Sequence, residues 1–96
     1  MENLAIDSGY KVLKAMGNIR RLHILYALRH TEKSVGQLEE IIGLSQSALS
    51  QHLAVLRAGG LVKTRRQAQT IFYSIKSAVV VNILSMMDKF YNNRYE

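Results

Sequence analysis

Ninety-six residues suit one small domain, near the size at which a lone hydrophobic core becomes marginal. The chain has no cysteine, which excludes disulfides, thiolate metal sites and thiol redox sensing, and no apolar run approaches the roughly 18 residues of a membrane span. Thirteen Lys and Arg against seven Asp and Glu give a formal charge of +6, which points to nucleic acid or another anionic surface as partner.

Residues 1–96 read as one domain, without repeats, low-complexity segments or long linkers. The start, MENLAIDSGYK, lacks the basic residues and apolar run of a secretory signal, so a cytoplasmic protein is expected. Ile6, Tyr10, Leu13 and Met16 fall at helical spacing and predict a first helix over residues 4–16. Gly17 and Asn18 break it, and Asn18 can cap a second helix that runs to about His30. That helix is expected to bury Leu22, Leu25 and Leu28 or a neighbouring stripe, with Arg20 and Arg21 in its first turn. Residues 31–33 read as a short polar connection.

Residues 34–58, SVGQLEEIIGLSQSALSQHLAVLRA, are the most informative stretch. Ser34 is a good N-cap, and Gln37 three residues later completes the capping-box pattern. Val35, Leu38, Ile41 and Ile42 form one apolar stripe, and Gly43 stands where a helix end wants a positive φ. Ser45 can cap a second helix whose Leu49, Leu53 and Leu56 repeat at i, i+4 and i+7. Two helices joined by about three residues with a glycine match the helix-turn-helix signature. Opposite the leucines lie Ser47, Gln51 and Ala54, flanked by Ser50 and Arg57, with Gln46 on the first turn. Small and amide side chains without a carboxylate suit a helix entering the DNA major groove, where Gln can bond base edges. An ordinary solvent face is the alternative, but it would carry Glu and Lys.

Gly59 and Gly60 end this helix, and the period then changes. Val62 and Thr64 alternate with Lys63 and Arg65. After the turn Gln67-Ala68-Gln69, Ile71, Tyr73 and Ile75 alternate again, which predicts a two-stranded hairpin. Its tip carries Arg65, Arg66, Gln67 and Gln69 and no acid, so beside a helix-turn-helix it reads as a wing aimed at phosphates or a minor groove. The bland reading is a solvated basic loop.

The last segment, Ser77 to about Tyr91, is apolar on two sides. Val80, Ile83, Leu84, Met87 and Tyr91 form one stripe; Val79, Met86 and Phe90 form another. A helix apolar around its girth is buried on two faces, and a domain this small covers one. Homodimerisation is therefore expected, with Tyr10, Leu13, Val80, Ile83, Leu84, Met87 and Tyr91 as the interface.

The run LSQSALSQHL-x-x-LR-x-x-GLV with TRR-x-AQTIFY, within the order helix, helix, helix-turn-helix, hairpin, terminal helix, resembles the ArsR/SmtB family of bacterial winged-helix repressors. The likeness covers Lys14 to Tyr91 and is greatest to the nodulation-regulator and haemolysin-regulator branch. It implies a mainly α winged helix-turn-helix fold of about five helices with a two-stranded wing, and a dimeric transcriptional regulator joined through its terminal helices. It also implies Gln46, Ser47, Ser50 and Gln51 on bases and Arg57, Arg65, Arg66, Gln67 and Gln69 toward the backbone. Metal-sensing members carry Cys in the first helix of the helix-turn-helix or Asp and His pairs in the terminal helix. Here Val35–Ile42 has neither Cys nor His, and residues 77–96 have no His. Redox-sensing relatives use two cysteines, at positions that match Tyr26 and about Asn92. The frequent proline before the second helix is replaced by Gly17-Asn18-Ile19-Arg20.

Other candidates are weaker. His23 and His30 lie seven apart and do not make a closed metal site by themselves. His52 lies at the core edge of its helix and packs or bonds within the domain. Tyr10, Tyr26 and Tyr91 read as core or interface before they read as a small-molecule pocket. No acid, base and nucleophile converge, so no enzyme, cofactor or metal is expected. Two classes remain: a DNA-binding repressor acting as a homodimer on double-stranded DNA, and a winged-helix protein-interaction module that has lost DNA binding. The second needs an apolar patch or acids on residues 46–57, where the chain has Ser, Gln and Arg.

Overall fold

The computed structural model describes residues 3–92. The helices begin where side chains can satisfy their first N–H groups. Asn3 Oδ1 accepts from the Ile6 N–H at 3.2 Å and starts α1 (Leu4–Met16). Asn18 Oδ1 accepts from Arg20 and Arg21, at 3.0 and 3.1 Å, and starts α2 (Ile19–Ala27). Ser34 and Gln37 close the capping box in both directions, at 2.8 and 3.1 Å, at the head of α3 (Val35–Ile42). Ser45 Oγ accepts from Ala48 to open α4 (Gln46–Ala58), and Ser77 Oγ accepts from Val80 to open α5 (Ala78–Met87). One π-type turn, Asp88–Asn92, extends α5. Gly43 ends α3 at φ 78°, where a Cβ would meet its own backbone.

Two features differ from the sequence reading. The second helix stops at Ala27, not His30, because the Arg29 Nη1 donates to the Tyr26 carbonyl at 2.8 Å and so caps the last turn. The connection before the helix-turn-helix contains a strand, β1 (Lys33–Ser34), which pairs antiparallel with Tyr73 and Phe72. With β2 (Val62–Gln67) and β3 (Thr70–Ile75) it makes a three-stranded sheet of order β1-β3-β2. The β2–β3 register runs from Val62↔Ile75 to Gln67↔Thr70, so the turn is Ala68-Gln69 alone, with Ala68 at φ 56°. A positive φ at the first central position only is the pattern of a type II′ hairpin turn.

One core joins these elements. Leu49, Leu53 and Leu56 of α4 meet Ile24, Leu25 and Leu28 of the α2 segment, Leu38 and Ile42 of α3, and Ala15 and Met16 at the end of α1. Leu61 and Val62 carry the core into the sheet, and Val80 and Leu84 close it from α5. These two residues correct an expectation. Val80 and Leu84 are 0% and 1% exposed, so they belong to the chain's own core and cannot line a subunit interface. Ile83 and Met87, on the same stripe, pack against that core. The stripe left outside is Val79, Met86 and Phe90, the one not assigned to a partner. Serine-capped α5 lands on Leu61 through the backbone bonds of Lys76 and Ser77 to the Leu61 carbonyl, and this sets which stripe turns inward.

Candidate nucleic-acid interface

The polar face of α4 stands free of the chain. Gln46, Ser47, Ser50, Gln51, Ala54 and Arg57 are all exposed, and the first turn carries no acid. At 100° per residue, Ser47, Ser50, Gln51 and Ala54 share one sector, with Gln46 and Arg57 on one flank. The positive end of the helix dipole is therefore uncompensated where the helix begins, which favours an approaching phosphate. His52 is half-buried beside Leu49 and Leu53, as its position at the edge of the leucine stripe predicts.

A cleft of about 400 Å³ separates α4 from the sheet, lined by Ser50, Ala54 and Arg57 on the helix and by Tyr73 of β3. Tyr73 is the site residue that sequence reasoning missed. Its alternation with Ile71 and Ile75 marks a strand residue, but only the strand order, with β3 in the middle, brings it beside α4.

The wing tip is exposed from Arg65 to Gln69, and its cations are not equivalent. Arg65 Nε and Nη2 bond the two carboxylate oxygens of Glu32, at 3.1 and 2.6 Å, in a bidentate pair. Its Nη1 reaches Gln67 Oε1 at 3.0 Å, and its guanidinium lies 4.7 Å from the Phe72 ring centre. The bond to Arg65 also holds the Glu32 carboxyl below the usual carboxylate range. Arg65 thus bolts the wing to the segment before β1. Arg66 uses Nε to bond the Ala68 carbonyl at 3.2 Å, which braces the strained turn, and its side chain is exposed. Gln69 and Lys63 are exposed.

Tyr26 of α2 and Asn92 beyond α5 are in contact. The Tyr26 hydroxyl donates to Asp88 Oδ1 and accepts from Asn92 Nδ2, and Asn92 also reaches Asp88 at 3.0 Å. Arg29 completes the group, with Nε 3.2 Å from Asp88 Oδ2 and its guanidinium stacked 3.6 Å from the Tyr26 ring centre. The hydrogen bond from Tyr26 lowers the Asp88 pKa, helped by those from Asn92 and by Arg29; the same bond to Asp88 raises the Tyr26 pKa. Together these side chains make a hydrogen-bonded joint between α2 and the end of α5.

Comparison with known proteins agrees with this geometry. The family profile described as "Bacterial regulatory protein, arsR family" matches residues 18–64, which contain the helix-turn-helix. The transcriptional activator HlyU of Vibrio cholerae is 52% identical over 80 residues, 83% of this chain and 74% of its own. Its solved structure superposes with a TM-score of 0.89, 48% identity, and 96% and 99% of the two chains covered. The nodulation protein NolR of Rhizobium meliloti is 50% identical over 92 residues, 96% of this chain and 74% of its own. The structure of the transcriptional repressor BigR from Xylella fastidiosa matches with a TM-score of 0.85 at 34% identity, covering 91% of this chain and 89% of that one. The chain belongs to the arsR family of bacterial regulatory proteins, as a DNA-binding transcriptional regulator with a winged helix-turn-helix fold.

Proposed function

We propose that the whole chain works as one winged helix-turn-helix domain, forms a homodimer in the cytoplasm and binds an inverted-repeat operator. Each α4 lies in a major groove, with half-sites about one helical turn, or ~34–36 Å, apart. The observation that carries this reading is the acid-free exposed face of α4 beside a basic wing. Gln46, Ser47, Ser50 and Gln51 face base edges, where the glutamines bond in pairs and the serines permit close approach. Arg57, Arg66, Gln67 and Gln69 face the backbone, and Arg65 holds the wing at the height that lets them reach it. Occupying promoter DNA blocks transcription directly, so the outcome is repression.

The dimer rests on apolar surface that the chain does not cover. Tyr10 and Leu13 of α1 are 60% and 59% exposed, and Met86 and Phe90 at the end of α5 are 58% and 69% exposed. The radius of gyration, 14.1 Å, exceeds the ~12.5 Å of a compact chain this long, in keeping with helices that project toward a mate. A twofold interface built from α1, Val79, Met86, Phe90 and Tyr91 is self-complementary and closes the assembly at two copies.

Selection of bound sequences from random DNA at fixed salt tests the reading. An inverted repeat is expected, and Gln46→Ala and Gln51→Ala should each cost about 1–3 kcal/mol on it and relax its sequence preference. A pool without any enriched motif would overturn the operator, and two silent glutamine variants would overturn the reading face.

A further inference from the structure

His23 of α2 and His30, three residues past its end, lie outside the proposed DNA-reading face, and both border one cavity. It holds about 710 Å³ and lies between α2, the end of α3 and the turn after α5. Leu22, Ile42 and Met87 form its more buried wall, while Ile19 and Ile41 stand at its mouth, 65% and 53% exposed. Exposed aliphatic surface around a concavity is driven to bury itself against an apolar body. The volume falls within the range of small-molecule sites, about 300–1,000 Å³.

Among the described residues, every charged side chain at its border is basic. His23, His30, Arg29 and Lys33 border the cavity, and no acid does among the described residues. Glu39 and Glu40 sit on the same α3 that supplies Ile41 and Ile42, but neither enters the wall. Arg29 is already engaged, its Nε with Asp88 at 3.2 Å and its Nη1 with the Tyr26 carbonyl at 2.8 Å. Lys33 makes no ion pair among the described residues. An apolar chamber with a cationic rim selects an organic acid over a neutral or cationic molecule of the same shape.

We propose that this cavity is an effector site for an amphipathic organic anion, its apolar body between Leu22, Ile41 and Met87 and its acid group at Lys33 and the histidines. Its walls come from the first helix of the helix-turn-helix and from the end of α5, so an occupant changes how these two parts sit together. The binding itself is independent of the operator; only the effect on DNA rests on the function proposed above.

Octanoate is the probe, with 1-octanol as its neutral counterpart, titrated against the full chain without DNA. Octanoate should saturate at one per chain, and octanol should bind at least about tenfold more weakly. Lys33→Glu should weaken octanoate about fivefold or more, what one charge contact at a half-exposed rim can carry. Methyl signals of Ile19, Leu22, Ile41, Ile42 and Met87 should shift during the titration, while those of Ile6 and Ile71 stay. Equal binding of octanol, an indifferent Lys33→Glu, or shifts that include Ile6 would overturn the site, the last by placing octanoate on α1 or in a subunit interface. Saturating octanoate should then change operator affinity about fivefold or more; no change would overturn the effector role. A chain that binds no operator even without octanoate fails the proposed function instead, and leaves the binding result standing.

Discussion

Helices α4 and α5 start alike, each capped by a serine, and each sends one stripe into the same core, but they finish differently. Beyond its leucines α4 offers Ser, Gln and Arg; beyond Val80 and Leu84 α5 offers Val79, Met86 and Phe90. A polar, acid-free face keeps its hydration until a polar anion replaces it. An apolar face is a standing cost in water, and any matching apolar surface relieves it. On the function proposed above, one chain thus separates reading from assembly by the chemistry of two helix backs.

The largest effect should come from the core that both helices share. Leu53→Ala removes a side chain 2% exposed and is expected to cost about 2–5 kcal/mol by denaturant unfolding. Val79→Ala, at the residue next to Val80 but outside the core, should cost well under about 1 kcal/mol in the same experiment at a concentration that keeps the oligomeric state fixed. Comparable losses would mean that α5 is seated on its other stripe.

Next in size is an exchange of the two backs. A carboxylate at Ser47→Glu meets DNA phosphate and bases head on, so operator binding should be lost while the sedimentation coefficient stays that of a dimer. Met86→Glu should do the reverse, giving a monomer that loses the operator only because its two half-sites are no longer linked. If Met86→Glu remained dimeric, the outer stripe of α5 would not be the interface.

How far the sequence goes follows the same division. Caps, the helix-turn-helix and the leucine stripe were legible because each depends on residues within a few positions, as with Ser34 and Gln37. Two apolar stripes on α5 were also legible, but not which one turns inward; the landing of Lys76 and Ser77 on Leu61 decides that, across the fold. β1 was hidden because two residues have no period and become a strand only where β3 offers an edge. Arg65 looked like any wing-tip cation until Glu32, 33 positions away, came into reach.

That pair gives a smaller test, on the wing. Glu32→Gln and Arg65→Ala should weaken the operator by similar factors, because both unbolt the wing, and Glu32→Gln should leave the salt dependence unchanged. Arg66→Ala should instead weaken all sequences alike and lower the salt slope by about 1. A tighter complex for Glu32→Gln would show Arg65 to be a phosphate contact restrained by its acid.

The smallest effect concerns the joint that seats the end of α5 against α2. The carboxyl of Asp88 is held below its ordinary pKa, first by the Tyr26 hydroxyl, then by Asn92 and Arg29. A depressed folded pKa contributes stability above the unfolded carboxyl's range, and the contribution is lost as pH falls below about 4. Tyr26 is shifted the other way by its bond to Asp88, so its share is present below the ordinary phenol pKa and lost as pH climbs past about 10. The melting temperature of the chain minus that of Tyr26→Phe should therefore be flat and positive across neutral pH and shrink at both extremes. A difference that ignored pH would assign the loss to packing of the ring against Arg29. The hydroxyl would then do nothing for the seating of α5, and the contrast between the two helices would rest on their outer faces alone.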